Sequence, residues 1–378
     1  MDNKYTPFYE IKEKQQKTKL YDEILPALPI FCVPFFKELD RLEGKSYSSL
    51  IGYASDIKIY LKWIKDSFEE YQDIPIEKLN IDSLCRPKIS DVKSFFLDYL
   101  PEYPDEYHME RAREKGMKSE HITLANSKTT AARKLATLKR FYHYFLNLES
   151  ENPYHIEHDP VSAIKQQKDK RKPIKIIDGD QIAKIIDGIE SPDRLFGNRK
   201  TKREAWTKRQ AIRDIAINTL LAGTGMRVSE LVGLNLQDID FDTDTVHLHR
   251  KGGKNDTVYL SEETKAVLLD YINNSRKQDY QPSDEENALF LSRKHTRISI
   301  SAVERMVIKY TQEVIGEKGY TPHKYRSSFA TRALKSGNSI KTVQSALSHS
   351  DPTVLIKYYQ QENEEEKKEA FKNFDIRS

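Results

Sequence analysis

Apolar residues recur at helical spacing in the first half of the chain. Between positions 46 and 67, and again between 126 and 148, they step by three and four, which is typical of helices that bury one face. The first stripe consists of Leu50, Tyr53, Ile57, Leu61 and Ile64, and the second of Ala131, Leu135, Leu138, Tyr142 and Phe145. A further helix is expected from Ile89 to about Leu100. These patterns predict a helical domain over residues 25–164, with residues 1–24 as a polar N-terminal arm.

The second half of the chain combines helices with a small sheet. Residues 236–260 alternate apolar and polar side chains, which predicts an antiparallel sheet whose tip is Gly252-Gly253. Helical patterns lie on both sides of it, at 209–221, 262–276 and 300–375. The expected fold is therefore mainly α, with a second, α+β domain over residues 176–378 that contains the sheet.

Lysine and arginine are concentrated in a few segments that could face phosphates. Residues 165–175 form a basic, proline-containing linker between the predicted domains, and its Lys170, Arg171 and Lys172 could follow a DNA backbone or belong to a flexible tether. Basic residues also lie off the apolar stripes of the two long helices. These are Lys58, Lys62, Arg133, Lys134, Lys139 and Arg140. A solvated helix face is the alternative for each of them.

The composition narrows the functional class without deciding it. The 378 residues are enough for two or three domains, and the net charge of +4 does not by itself imply a nucleic-acid partner. No apolar run is long enough to span a membrane, and residues 1–19 contain no signal-peptide core. Cys32 and Cys85 lie far apart, which favours a reducing, cytoplasmic setting over a disulfide framework or a zinc site. With no Walker A or dinucleotide motif and no metal-ligand spacing, we expect neither a cofactor nor a metal.

Two short stretches could hold a phosphate between them. In A-G-T-G-M-R-V-S-E-L (222–231), Arg227 follows a glycine-flanked turn at the start of a helix, and an arginine fork suits two phosphate oxygens. In T-P-H-K-Y-R (321–326), His323 and Arg326 are three apart and share a helix face behind a Thr–Pro start signal. Each motif alone is weak, because such spacings are common by chance.

Two further stretches add a lysine, a histidine and a tyrosine. Lys251 lies at the tip of the predicted hairpin in R-K-G-G-K, where Lys254 is a rival for its role. His349 and Tyr358 lie in L-S-H-S-D-P-T-V-L-I-K-Y-Y (347–359). A tyrosine nucleophile needs a deprotonated phenol, which a site dense in Arg, Lys and His favours electrostatically. Together the set suits attack on a phosphodiester without a metal.

In order and local context, this set resembles the tyrosine site-specific recombinases, also called lambda-integrase-like. The likeness covers about residues 25–375 and is greatest to the Xer recombinases, especially the single-protein type of streptococci and lactococci. It extends to Y-S-S-L-I-G-Y (47–53), R-K-G-G-K-N-D-T-V (250–258) and V-E-R-M-V-I-K-Y (303–310). Ser348, Tyr325 and Ser327 depart from the residues common in that family.

The resemblance implies a helical, SAM-like core-binding domain and a catalytic domain that close as a C-shaped clamp on DNA, with a C-terminal tail helix. Tyr358 would attack the scissile phosphate to give a 3′-phosphotyrosine link, and Arg227 and Arg326 would stabilise the transition state. Lys251 would be the general acid, His323 would assist proton transfer and His349 would bind the phosphate. Glu230 would orient the site.

The implied biology is exchange of strands through a Holliday junction by a homotetramer on a short inverted-repeat site in double-stranded DNA. Chromosome dimer resolution, in chromosome partition and cell division, is the expected role in the cytoplasm, at the nucleoid and without a membrane partner. A DNA translocase is a candidate accessory partner. Three alternatives stay open: an integrase of a phage or conjugative element, a type IB topoisomerase, and a DNA-binding protein without catalysis. Tyr359, next to Tyr358, is an alternative nucleophile.

Overall fold

The computed structural model of the chain describes residues 7–103, 128–165, 176–191, 208–250, 254–277, 287–317 and 320–347, without the side chains of Arg250 and Lys254. The chain divides into two compact units, one of residues 10–172 and the other of residues 1–9 with 173–378. Within the described ranges, no helix is long and apolar enough to cross a membrane.

Helices are the regular secondary structure of the described residues between 7 and 165. Its helices are α1 (Phe8–Thr18), α2 (Cys32–Arg41), α3 (Tyr47–Ser67), α4 (Asp82–Cys85), α5 (Ile89–Ser94), α6 (Leu100–Glu102) and α7 (Lys128–Leu146). Turns of π-helix (Lys19–Ile24 and Phe95–Tyr99) and of 3-10 helix (Leu25–Ala27, Glu69–Tyr71 and Ile76–Lys78) lie between them. The three helices that the sequence predicts here are confirmed as α3, as α5 with the π-helical turn that follows it, and as α7.

Helices α3 and α7 pack against each other through the predicted stripes. Of the ten predicted stripe residues, all are buried except Tyr53 and Ala131, which are partly exposed. The buried phenols at this contact are hydrogen-bonded, because the Tyr142 hydroxyl donates to the Leu84 carbonyl at 2.9 Å and lies 3.0 Å from the Tyr60 hydroxyl. The helical unit therefore has its own aromatic core.

The second unit surrounds one buried helix. Its helices are α8 (Gly179–Glu190), α9 (Lys208–Thr224), α10 (Val228–Gly233), α11 (Glu262–Asp270), α12 (Ile300–Ile315), α13 (Pro322–Lys335) and α14 (Ile340–Leu347). Two short turns, of 3-10 helix (Leu236–Asp238) and π-helix (Tyr271–Arg276), complete it. Helix α9 is the most enclosed element and packs against α8, α11 and α13. Asp178 caps α8 as predicted, since its carboxylate accepts the Gln181 N–H at 2.7 Å.

A three-stranded antiparallel sheet completes this unit. Its strands are β1 (Ile239–Asp240), β2 (Thr245–Arg250) and β3 (Lys254–Tyr259), in the order β1-β2-β3. Asp244 adopts a left-handed conformation (φ 54°) in the turn between β1 and β2. The last pair of the β2–β3 ladder is Arg250 with Lys254, so the predicted tip falls on residues 251–253, outside the described part. The predicted class, mainly helical with a small antiparallel sheet, is confirmed.

Candidate functional site

Arg227 lies at a turn that only glycine can make. Gly225, which follows the end of α9, has a φ of 63°, and a Cβ there would lie 2.7 Å from the Phe329 ring and 2.9 Å from Leu347. The chain then enters α10 with Arg227 as its N-cap residue. The sequence therefore places a glycine at position 225 so that Arg227 can begin a helix directly against α13 and α14.

Glu230 fixes the orientation of Arg227. Its carboxylate accepts the Arg227 backbone N–H at 2.7 Å and the Arg227 guanidinium at 2.8 Å. The Glu230 side chain is only 7% exposed, whereas that of Arg227 is 44% exposed. A largely buried carboxylate thus anchors an arginine whose side chain is substantially exposed. The catalytic role expected for Glu230 stays a prediction.

Arg326 is buried at the junction of three segments. On α13 it is 3% exposed, and its guanidinium donates to the Gly225 carbonyl at 2.7 Å and also to the Leu347 carbonyl. Gly225 lies two residues before Arg227, and Leu347 lies two residues before His349. One side chain therefore connects the turn that carries Arg227 with the segment that leads to His349.

His323 lies in the first turn of α13, one helical turn before Arg326. Thr321 and Pro322 begin this helix as predicted, and the His323 side chain is exposed. Although the residue is exposed overall, desolvation by the surrounding protein lowers the pKa of His323 below its ordinary value, and the positive charges of Arg326, Lys324 and Arg227 lower it further. His323 is therefore neutral near pH 7 and can accept a proton.

The structure brings four of the predicted site residues together: Arg227, Glu230, His323 and Arg326. The predicted residues Lys251, His349 and Tyr358 lie outside the described part of the chain, as do Lys170, Arg171 and Lys172 of the linker. The side chain of Lys254 is also outside it. These assignments stay predictions.

A buried polar contact behind the site was missed by the sequence analysis. The Tyr325 hydroxyl, between His323 and Arg326 on α13, donates to the Asn218 side-chain oxygen on α9 at 2.6 Å. The Asn218 amide in turn donates to the Asp214 carbonyl at 2.7 Å. Burial raises the pKa of Tyr325, so its hydroxyl stays a donor. An asparagine inside the apolar run of α9 was the available signal.

Comparison with known proteins identifies the family. Residues 175–366, just over half of the chain, match the phage integrase family, and this range contains every predicted catalytic residue. The chain belongs to this family. It is a tyrosine recombinase, an enzyme that cleaves and rejoins DNA.

Two curated recombinases are similar over most of their length. Tyrosine recombinase XerS of Streptococcus agalactiae serotype III (strain NEM316) is 29% identical to the enzyme over 360 residues, which cover 92% of this chain and 96% of that protein. Tyrosine recombinase XerC of Caldanaerobacter subterraneus subsp. tengcongensis is 29% identical over 350 residues, covering 91% of this chain and 85% of that protein.

Solved recombinase structures share the fold. The XerH recombinase bound to palindromic difH substrate superimposes with a TM-score of 0.60 at 15% identity, over 86% of this chain and 80% of that one. A lambda integrase dimer bound to a core site gives a TM-score of 0.51 at 17% identity, over 85% of this chain and 94% of that one. The recombinase fold thus extends through both units of the enzyme.

In the helical unit, two of the predicted DNA-contact residues of the recombinase bind a buried acid. Asp56 on α3 is 1% exposed. Arg133 donates to both of its carboxylate oxygens, Lys134 donates to it at 3.0 Å and Thr137 at 3.0 Å. Lys134 is itself buried, so its charge neutralises Asp56, while the Arg133 side chain remains 52% exposed. Of these two cations, Arg133 is the one that can also reach a phosphate.

The other predicted DNA-contact residues of the helical unit lie nearer the surface. Lys58 is exposed, and Lys62 forms an exposed ion pair with Asp66 at 3.2 Å. Lys139 donates to the Ser162 carbonyl at 3.0 Å, and Arg140 forms an ion pair with Glu43. Exposed ion pairs such as Lys62–Asp66 contribute little to stability, so a DNA phosphate could replace the carboxylate.

Replacing Asp56 by asparagine is expected to lower the free energy of unfolding of the helical unit by about 3–5 kcal/mol, because Lys134 is left as a buried, uncompensated charge. Trp63 is buried in this unit, so its fluorescence during urea unfolding measures the change in a Trp206→Phe background. The matched control is Asp66→Asn, which removes an exposed pair and should cost about 0–1 kcal/mol. Equal effects of the two substitutions would show that the Asp56 cluster does not stabilise the unit.

Proposed function

We propose that the enzyme is a Xer-type site-specific recombinase that resolves chromosome dimers and so acts in chromosome partition and cell division. The observation that carries the proposal is the convergence of Arg227, His323 and Arg326 in one site of a chain that is similar to XerS over nine-tenths of its length. The relevant ligand is double-stranded DNA with a short inverted repeat. We further propose that a homotetramer acts at the nucleoid in the cytoplasm, with a DNA translocase as accessory partner.

The proposed reaction is an exchange of phosphodiesters. The Tyr358 phenolate oxygen attacks the scissile phosphorus and forms a 3′-phosphotyrosine, while the bond from phosphorus to the 5′-oxygen breaks. Lys251 gives its proton to the departing 5′-oxygen, which leaves as a hydroxyl. Because the new ester keeps the bond energy, the reverse attack by another strand's 5′-hydroxyl rejoins the DNA without ATP or a metal. Two pairwise exchanges through a Holliday junction complete recombination.

The remaining residues act on the phosphate and on protons. Arg227, held by Glu230, and Arg326 stabilise the negative charge on the non-bridging oxygens of the pentacoordinate transition state. Neutral His323 accepts and returns a proton near the attacking oxygen. His349 donates a hydrogen bond to the phosphate. For DNA backbone contacts we propose the exposed cations of the helical unit, with Arg133 foremost, together with Lys170, Arg171 and Lys172 of the linker and Lys254 of the hairpin.

The lowered pKa of His323 predicts how the enzyme responds to acid. As the pH falls through about 6.5, the ordinary value for histidine, the unfolded chain takes up the proton before the folded chain does, so the contribution of His323 to stability decreases. The cleavage rate should be constant above that range and fall below it, when His323 becomes protonated. Single-turnover cleavage and thermal unfolding between pH 5 and 8 measure both effects. In His323→Gln the cleavage rate should no longer fall at low pH. If the rate of that variant still falls as in the wild type, a group other than His323 causes the fall.

A second candidate function is integration and excision of a phage or conjugative element, which the similarity of fold to lambda integrase favours. Covalent capture on fragmented chromosomal DNA distinguishes the two. Protein-linked fragments are recovered after an SDS quench and sequenced. A single near-palindromic site opposite the replication origin supports dimer resolution, whereas a site at the border of a mobile element supports the integrase. Retention of DNA without any covalent link would contradict both.

A further inference from the structure

The tip that carries Lys251 has a well-defined base. The ladder between β2 and β3 ends with the pair Arg250–Lys254, and the preceding pair is His249 with Asn255. Only residues 251–253 lie beyond the ladder. These last two pairs are therefore the described residues nearest to Lys251 along both strands.

His249 connects this base to a fixed point outside the hairpin. Its Nδ1 lies 3.0 Å from the Asn255 side-chain oxygen across the ladder, and its Nε2 lies 3.3 Å from an Asp238 carboxylate oxygen. Asp238 is 3% exposed and also accepts the Asn235 backbone N–H at 2.7 Å. The imidazole thus bridges both strands of the hairpin to the buried Asp238, in the 3-10 turn that precedes the sheet.

A third contact covers the face of the same ring. The Tyr9 ring, in the same unit, stacks on His249 with centroids 5.8 Å apart and an interplanar angle of 22°. His247 provides the contrast, because it lies on the same strand and the same face, two residues farther from the tip, but is exposed. His249, the nearer of the two to Lys251 in sequence, is therefore contacted at both ring nitrogens and on one face of its ring.

We propose that His249 is a positioning residue for the proton donor Lys251. The inference rests on the proposed role of Lys251 as general acid. A lysine ammonium on a flexible stem protonates a leaving oxygen efficiently only when its backbone is held in place, and misplacement by about 1 Å can cost about 100-fold in rate. Asp238, Asn255 and Tyr9 supply that restraint through His249.

The chemistry of the leaving group gives a direct test. In a substrate with sulfur in place of the bridging 5′-oxygen, the phosphorus–sulfur bond breaks to release a thiolate, which is a much weaker base than an alkoxide and needs no proton. A variant that has lost only proton donation is therefore slow on the oxygen substrate and restored on the sulfur substrate. A variant that has lost its fold or its phosphate contacts is slow on both.

The experiment compares single-turnover cleavage of the two substrates by the full chain and its variants. His249→Ala is expected to be about 10- to 100-fold slower on the oxygen substrate and close to wild type on the sulfur substrate. Asn255→Ala, which changes an exposed side chain, should show the same pattern to a smaller extent. His247→Ala is the matched control and should behave as wild type on both. DNA binding and thermal unfolding are measured for each variant.

The outcomes separate this inference from the proposed function. If Lys251→Ala is not restored by sulfur, the general-acid assignment fails and the role of His249 fails with it. If Lys251→Ala is restored but His249→Ala and Asn255→Ala are equally slow on both substrates, or unaffected on both, only the positioning role is overturned. Restoration of all three variants by sulfur supports it.

Discussion

Replacing Arg326 by alanine is expected to reduce the single-turnover cleavage rate by about 10³-fold or more and to destabilise the catalytic unit. In the proposed mechanism the Arg326 guanidinium stabilises the negative charge of the transition state, and the rate falls because the variant lacks it. Loss of a single neutral hydrogen-bond donor already costs about 10²–10³-fold. Stability falls because the Gly225 and Leu347 carbonyls lose their donor, at a cost of about 1–3 kcal/mol for each one that stays buried.

Two further variants separate the chemical from the structural effect. Arg326→Lys keeps the charge but has no planar fork, so it cannot hold both carbonyls and face a phosphate at once; its cleavage rate should stay low while its stability is partly restored. Arg305→Ala is the matched control, because Arg305 is an exposed arginine on α12 that donates to the Ser301 carbonyl of its own helix. Thermal unfolding and cleavage of a nicked substrate give the two readouts. Near-normal cleavage by Arg326→Ala would remove Arg326 from the catalytic set.

The sequence predicted the elements well where local chemistry determines them. The stripe of α3, the cap of α8 at Asp178 and the start of α13 at Pro322 all depend on residues within a few positions of one another, and the structure confirms them. The same holds for the two strands of the hairpin, whose alternation of apolar and polar residues sets their faces. The predicted tip, Gly252-Gly253, lies outside the described residues and stays a prediction. Such signals are contained in one segment and need no tertiary partner.

The contacts that the sequence did not predict join distant segments. Arg326 reaches a carbonyl 101 positions away, and Asp56 pairs with Arg133 across 77 positions. Helical periodicity shows that Lys134 lies off the apolar stripe. It cannot show that Lys134 pairs with the buried carboxylate of Asp56 on another helix. The spacing of Arg326 to His323 was enough to predict a phosphate-binding role for Arg326. Its hydrogen bonds to backbone carbonyls, in contrast, depend on how α13 packs against the Gly225 turn.

The same distinction explains Tyr325. In the sequence it was only a departure from the residue common in the family, yet in the structure its hydroxyl satisfies Asn218 inside the core. The polar residue on α9 and the tyrosine on α13 form one pair, and neither position indicates the other without the fold. A residue that departs from the family pattern can therefore have a partner elsewhere in the same chain that satisfies its polar group.

Replacing Tyr358 by phenylalanine is expected to abolish the covalent link between protein and DNA and to leave DNA binding intact. The substitution removes one hydroxyl oxygen, and no phosphotyrosine can form without it, whereas the ring and the charges that bind DNA remain. Tyr359→Phe is the matched control, since it removes the same oxygen from the adjacent residue. The control should form the link at the wild-type level.

The most direct test of the account is to trap this link on a nicked recombination substrate, digest the protein and identify the modified tyrosine by mass spectrometry. DNA binding by each variant is followed by fluorescence anisotropy in parallel. We expect a nucleotide joined through its 3′-phosphate to Tyr358 in the wild type and in Tyr359→Phe, and none in Tyr358→Phe. A link that persists in Tyr358→Phe, or one found on Tyr359 in the wild type, would contradict it.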